Sequence, residues 1–357
     1  MPCPGDLNSS KRAVLHGEWR STPVKQVRNL HELAVLAGVS ASTVSRALAD
    51  SPVVRRSTRE RIKSLALENA FQPNVMARNL RNRCTGAIAV AIPLGPESSQ
   101  SLADPFFITM LGLLGDILSG HALDLLLLRN VHSSPDWLDD LVKSGRVDGV
   151  IVLGQSDQFD TIENLARVYR PLVVWGAHQP GQAQCSVGSD NRLGGRLAAD
   201  HLIDRGCRRL AFMGDPRSIE IDQRLAGCRE AMQRAGMAGA PQVVPVSFAA
   251  SAAGHDIARF LRTTPDCPDG IIAASDMIAM SALKALADFG VTVPGDVKVI
   301  GFDGLAIGEM AVPALSTVRQ NFAAGAVHLV DMLLQRIAGI DAPGIVMIPE
   351  LQPGMST

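Results

Sequence analysis

Aromatic side chains are scarce in this 357-residue sequence, at 4% with a single tyrosine, so its interior must be built from aliphatic groups. Any place where rings gather is then a candidate ligand wall. Paired cysteines are missing too. Cys3, Cys84, Cys185, Cys207, Cys228 and Cys267 lie far apart, without C-x-x-C or Cys/His spacing. Free thiols in a reducing compartment are therefore expected, rather than a disulfide framework or a metal site. No apolar run reaches the roughly 18 residues of a membrane span. The opening MPCPGDLNSSKRAVLHGEWR has no apolar signal segment, so the expectation is a cytoplasmic protein with no membrane partner. Dinucleotide, Walker, nucleophile-elbow and H-E-x-x-H motifs are all lacking. No enzyme, catalytic residue, cofactor or metal is expected.

Hydrophobic residues make up 46% of the sequence and charged residues 19%, enough for a sizeable core over two or three domains. The net charge of −1 hides a segregation. Residues 28–83 carry ten Lys/Arg against four Asp/Glu, whereas residues 84–357 carry twenty against twenty-nine. A basic head on an acidic body implies that one part meets a polyanion and the other does not.

Residues 1–27 hold Pro, Gly, Ser and mixed charge without periodicity, which reads as a flexible tail or as upstream sequence from a mistaken start. Short helical patterns follow. Beyond Thr85-Gly86, apolar runs such as GAIAVAIP, VDGVIVLG, PLVVWG, RRLAFMGD and VKVIGFDG alternate with amphipathic stretches. Such runs read as strands buried on both faces, and the alternation as βα units around two doubly wound parallel sheets. Ligands in such folds sit beyond the carboxyl ends of the strands.

In LHELAVLAGVSASTVSRAL, Leu30, Leu33, Ala34 and Ala37 form one helix face, Gly38 makes a turn, and Ser40 caps a second helix. Val44 and Leu48 point back inward. Ala41, Ser42, Thr43, Ser45 and Arg46 are the candidates for base edges in a major groove. A third helix is predicted over about residues 58–70, capped by Ser57, with Ile62, Leu65, Ala66 and Asn69 inward. Arg55, Arg56, Arg59, Arg61 and Lys63 are then available for phosphates or simply solvated. The basic segment PNVMARNLRNR that follows is too short to be a stable isolated helix.

The stretch LHELAVLAGVSASTVSRAL resembles the signature L-x-x-[LV]-A-x-x-A-G-V-S-x-x-T-V-S-R-x-L of the lactose/galactose repressor (LacI/GalR) family of bacterial transcriptional regulators. PNVMARNLRNR resembles that family's hinge helix. The resemblance implies a helix-turn-helix DNA-binding domain over residues 28–72 and a hinge over 73–84. A periplasmic-binding-protein-like effector and dimerisation core then spans 85–357. Its first subdomain would cover about 85–188 plus 319–342, and its second about 189–318 plus 343–357. Asn74, Ala77, Arg78 and Leu80 would meet the minor groove, Leu80 as an apolar wedge. The partners implied are a pseudo-palindromic operator, a second copy of the chain, and a small sugar or sugar derivative.

Further positions follow the family's order: D-P-F-F at 104–107, VGSDNRLGG at 187–195, R-L-A-G at 224–227, V-I-G-F-D at 299–303 and LSTVRQNF at 315–322. They nominate Asp303 as a hydroxyl-binding carboxylate and Asp104, Asp222, Arg224, Ser275 and Gln320 as polar contacts. Phe106, Phe107, Trp175 and Phe248 are nominated as apolar walls. Phe107 could equally be core, Asp276 a helix cap, and Asp190 an organiser of the crossover. Ser275 and Asp222 depart from residues frequent in the family, which leaves effector identity open. The implied function is a repressor of carbohydrate genes released by its effector. The alternatives are a regulator with a purine-type corepressor and a solute-binding protein without a DNA role.

Overall fold

A left-handed residue in the first helical pattern fixes the geometry of the N-terminal unit. The computed structural model describes residues 27, 29–71, 84–93, 101–129, 136–155, 158–264 and 267–357. The chain divides into two units, 1–83 and 84–357. In the first, α1 (Leu30–Ala37) is capped by Asn29, whose side chain accepts from the Glu32 N–H at 2.9 Å. It ends at Gly38, where φ is +61°. Glycine adopts that angle without the steric cost other residues incur. α2 (Ala41–Leu48) begins at Ser40, whose Oγ accepts from the Thr43 N–H. Leu33, Ala34, Ala37, Val44, Ala47, Ile62 and Ala66 close one small core, while Leu48 and Leu65 are only half-buried.

The third helix, α3, runs Arg56–Glu68 rather than 58–70. Ser57 lies inside it, and Arg55 at the N-cap makes no side-chain cap bond, so the expected Ser57 cap does not form.

The second unit holds two six-stranded sheets. β1 (Ala87–Ile92), β2 (Asp124–Arg129), β3 (Gly149–Leu153), β4 (Leu172–Trp175), β5 (Cys185–Ser189) and β11 (Ile345–Met347) run parallel in the order β11-β5-β4-β3-β1-β2. β6 (Leu210–Met213), β7 (Gln242–Val244), β8 (Gly270–Ala273), β9 (Lys298–Asp303), β10 (Ser316–Arg319) and β12 (Glu350–Gln352) take the order β12-β10-β9-β8-β6-β7, with β12 antiparallel to β10. Alternation is plain in β1. Ile88, Val90 and Ile92 enter the core on one face, Ala89 and Ala91 the core on the other. Fully burying each of the larger side chains is worth roughly 1.5–3 kcal/mol.

The helices that matter for the cleft are α4 (Pro105–Gly120), α7 (Asn191–Asp204), α8 (Ile219–Arg234), α9 (Ala250–Thr263), α10 (Asp276–Asp288) and α12 (Phe322–Ile337); α5 (Trp137–Lys143), α6 (Phe159–Val168) and the short α11 (Ala306–Glu309) are the others among the described residues. The chain passes between the lobes three times: after β5, between β10 and α12, and between β11 and β12. Residues 345–347 therefore belong to the first sheet, although the sequence reading gave 343–357 to the second subdomain. Parallel pairing with β5 decides their place, and a local apolar pattern carries no information about pairing partners.

Glycines let α7 and α8 meet backbone to backbone. A Cβ at Gly195 would fall on the carbonyl of Arg224, and one at Gly227 on the carbonyl of Arg192.

Candidate functional site

On the N-terminal unit, the outward face of α2 carries Ser42 and Arg46 exposed, with Ala41, Thr43 and Ser45 half-buried. The Arg46 guanidinium has no hydrogen-bond or ion-pair partner among the described residues. The basic residues of α3 are more committed than expected. Arg61 Nη2 donates to the Ala37 carbonyl at 2.9 Å, satisfying a group at the end of α1. Arg59 reaches the carbonyls of Asp50 and Ser51, Lys63 pairs with Asp50, and Arg56 with Glu60. The Lys63 hydrogen bond also holds the Asp50 carboxyl below its usual range. Asn74, Ala77, Arg78 and Leu80 lie outside the described residues.

In the second unit a cavity of about 140 Å³ opens where the carboxyl ends of both sheets face each other. The first lobe supplies Asp104, Phe106 and Phe107 from the start of α4, Leu153-Gly154 from the end of β3, Pro93 after β1, and Trp175 at the end of β4. Asp104 caps α4 by accepting from the Phe106 N–H at 3.0 Å, which sets the direction of both phenylalanines. Phe106 packs against Phe107, Trp175 and Phe322 at centroid separations of 5.0, 6.4 and 5.5 Å. The scarce rings are thus gathered on one wall. Phe107 is both core and wall, buried yet lining the cavity.

The second lobe supplies the polar side. Asp303 ends β9 with φ at +128°, an angle side chains other than glycine rarely adopt. The surrounding bonds fix it there. Gln320 Nε2 donates to its Oδ1 at 2.8 Å, and the Gln320 N–H to its carbonyl at 3.0 Å. Burial pushes the Asp303 carboxyl up to about 6, against the lowering effect of Arg224 and Gln320. Arg224, on α8, is itself buried, and desolvation lowers its pKa. Its Nε donates to Asn191, its Nη1 to the Ala274 carbonyl at 2.5 Å, and its plane lies 3.6 Å over Phe302. Phe248 and Gln320 line the same space.

Ser275 both lines the cavity and caps α10 by accepting from the Ile278 N–H. Asp276 is neither the cap nor a lining group. It sits behind Asp303, fully buried, accepting from the Leu305 N–H at 2.7 Å and the Thr317 hydroxyl at 2.6 Å. Burial, with Asp303 nearby, pushes its carboxyl up to about 8. Asp190 caps α7 at the first crossing and is absent from the lining.

Nine of the ten nominated effector residues line this one cavity. Asp222 does not: it is exposed, and the acidic residue that α8 brings to the cleft is Glu220. Helical spacing accounts for the exchange. Glu220 stands four residues before Arg224 and shares its face, whereas Asp222 is about half a turn away. Glu220 also reaches across the cleft, its Oε1 accepting from the Gln155 N–H at 3.3 Å, while Oε2 accepts from the Ser218 hydroxyl at 2.7 Å. Gln223 Nε2 donates to the His178 carbonyl of the first lobe. Among the described residues no helix is long and apolar enough to cross a membrane, and no cluster of potential metal ligands occurs.

Residues 29–74 match the model of bacterial regulatory proteins of the lacI family, and residues 199–357 that of the periplasmic binding protein-like domain. The chain is 31% identical to the HTH-type transcriptional regulator CelR of Thermobifida fusca, over 87% of this chain and 92% of that one. It is 30% identical to the ribose operon repressor of Halalkalibacterium halodurans, over 82% and 85% respectively. A solved complex of the transcriptional regulator CelR with cellobiose superposes with a TM-score of 0.67 at 29% identity, covering 93% of this chain and all of that one.

Proposed function

This chain belongs to the lacI family of bacterial regulatory proteins, and we propose that it is a dimeric transcriptional repressor released from its operator by a sugar held in the cleft. The observation that carries the effector reading is the cleft itself. It has aromatic faces on one wall and hydrogen-bonding side chains on the other, where both sheets present their carboxyl ends. Ring faces pack on the C–H surface of a sugar, and carboxylates accept its hydroxyl protons.

Two α2 helices of a dimer would enter successive major grooves, with Ala41, Ser42, Thr43, Ser45 and Arg46 at the base edges. Asn74, Ala77, Arg78 and Leu80 would engage the minor groove between them. Effector binding draws on contacts from both lobes and so favours one lobe arrangement. A coupling of about 1–3 kcal/mol between that arrangement and operator affinity suffices for a switch.

The test is operator binding by fluorescence anisotropy across a sugar panel, with Asp303→Ala alongside. The expected outcome is a sugar that weakens operator binding in the parent protein and has no effect on the variant. A purine base that tightens operator binding, with no sugar weakening it, would replace this reading with a corepressor.

A further inference from the structure

The polar side of the cleft is lopsided in charge. The second lobe brings two carboxylates to the lining, Glu220 and Asp303, and Arg224 is the one guanidinium among the described lining residues. Arg224 is already engaged with Asn191, with the Ala274 carbonyl and with the face of Phe302. Neither Glu220 nor Asp303 takes part in an ion pair among the described residues.

Two further donors lining the space are turned to the protein. Gln320 Nε2 donates to Asp303, and the Ser218 hydroxyl donates to Glu220. An ionised carboxylate has about four acceptor sites, so Glu220 and Asp303 keep unused acceptor capacity after these bonds. A desolvated site with surplus acceptors and surplus negative charge is complemented by a ligand rich in donors and carrying positive charge.

We infer that the effector is a polyol bearing a protonated amine, an amino sugar or close analogue, seated with its ammonium facing Glu220 and Asp303. This rests on the reading that a sugar-like effector occupies the cleft. An ammonium brings three donors, no acceptor and the compensating charge. A uronate or sugar phosphate would add negative charge to a lining that already has too much. Glu220 is the residue that gives the preference its structural consequence. It is hydrogen-bonded to the first lobe through Gln155, so a cation seated on it stays with the arrangement in which the lobes are bridged.

Calorimetric titration of the full-length protein at neutral pH tests this. The panel is glucose, galactose and mannose, each beside its 2-amino, uronate and 6-phosphate forms. For the sugar that fits, the amino form binds about tenfold more tightly than the parent, the size of one charge-assisted hydrogen bond. The acidic forms bind more weakly than the parent. Glu220→Gln, which keeps the shape and an acceptor for the Gln155 N–H, removes the advantage of the amine. Parent sugars that bind with no gain from the amine overturn this inference alone, as do acidic forms that bind as tightly as the parent or a Glu220→Gln variant that keeps the preference. Failure of every form to bind overturns the sugar reading itself.

Discussion

Replacing Gly227 with alanine puts a methyl group where two helices already touch. The added Cβ would coincide with the Arg192 carbonyl and lie 2.8 Å from the Arg196 nitrogen, both of them backbone atoms that no rotamer change can move aside. α7 and α8 must separate, and the small buried residues along their contact (Ala198, Ala199, Cys228 and Ala231) lose neighbours as they do. Overpacking of this kind costs about 1–3 kcal/mol, and a backbone collision belongs at the upper end. The better helix propensity of alanine returns about 1 kcal/mol. The net loss is about 2 kcal/mol, or roughly 4–8 °C in the melting of a core this size. Gly254, in α9 of the same lobe, is the control. No atom lies within 4 Å of its added Cβ, so Gly254→Ala should stabilise by about 0.5–1 kcal/mol. Differential scanning calorimetry of both variants gives opposite signs for the same chemical change. A Gly227→Ala protein that melts at or above the parent would refute the reasoning. Effector affinity should fall with it, because Arg224 lies on the displaced helix.

Ser40→Ala removes the side-chain acceptor of the Thr43 N–H and leaves it only the Ser40 carbonyl, which should cost about 1 kcal/mol and speed hydrogen exchange through α2; exchange unchanged throughout α2 would contradict the cap. Arg46→Ala should weaken specific operator binding about tenfold, the scale of a base contact, while core melting stays the same. The pH dependence of stability follows from Asp276 and Asp303, whose folded-state pKa values are raised from 3.8 to about 8 and about 6. The unfolded chain releases those protons first, so their contribution is complete below pH 4 and is lost as pH rises through 6 to 8. Asp276→Asn keeps an acceptor for the Leu305 N–H, and the Thr317 hydroxyl can turn to accept from the amide. The variant should therefore show a shallower loss of stability between pH 5 and 8, measured by urea titration, and a slope parallel to the parent would count against the assignment.

What could be read from the sequence was local or periodic. Gly38 and Ser40 punctuate α1 and α2 because a left-handed turn and a side-chain cap are each properties of one residue. The buried strands showed as aliphatic runs because a parallel sheet covered on both faces leaves no polar alternation. The cleft was largely visible because most of its residues stand at strand ends or in the first turn of a helix.

Misreadings arose where three-dimensional pairing decides. IEID offers two acids, and only the phase of α8 relative to Arg224 selects Glu220 over Asp222. Arg61 looked free for phosphate because its partner, the Ala37 carbonyl, lies 24 residues away. Ser275 and Asp276 could each have capped α10. The Asp276 carboxylate is taken instead by Leu305 and Thr317, 29 and 41 residues downstream.

The three crossings carry a consequence for how the protein is made. The first lobe's sheet has five strands in place by Ser189, but its sixth, β11, is translated only at residues 345–347. At synthesis rates of about 5–20 residues per second, the nascent lobe therefore waits about 8–30 seconds with β5 as an open edge. Until residues 345–347 are made, the sensor is an unfinished sheet, and the DNA-binding unit is complete well before the part that controls it. A transcript cut short ahead of the codons for residues 345–347 would yield a DNA reader without a finished effector cleft.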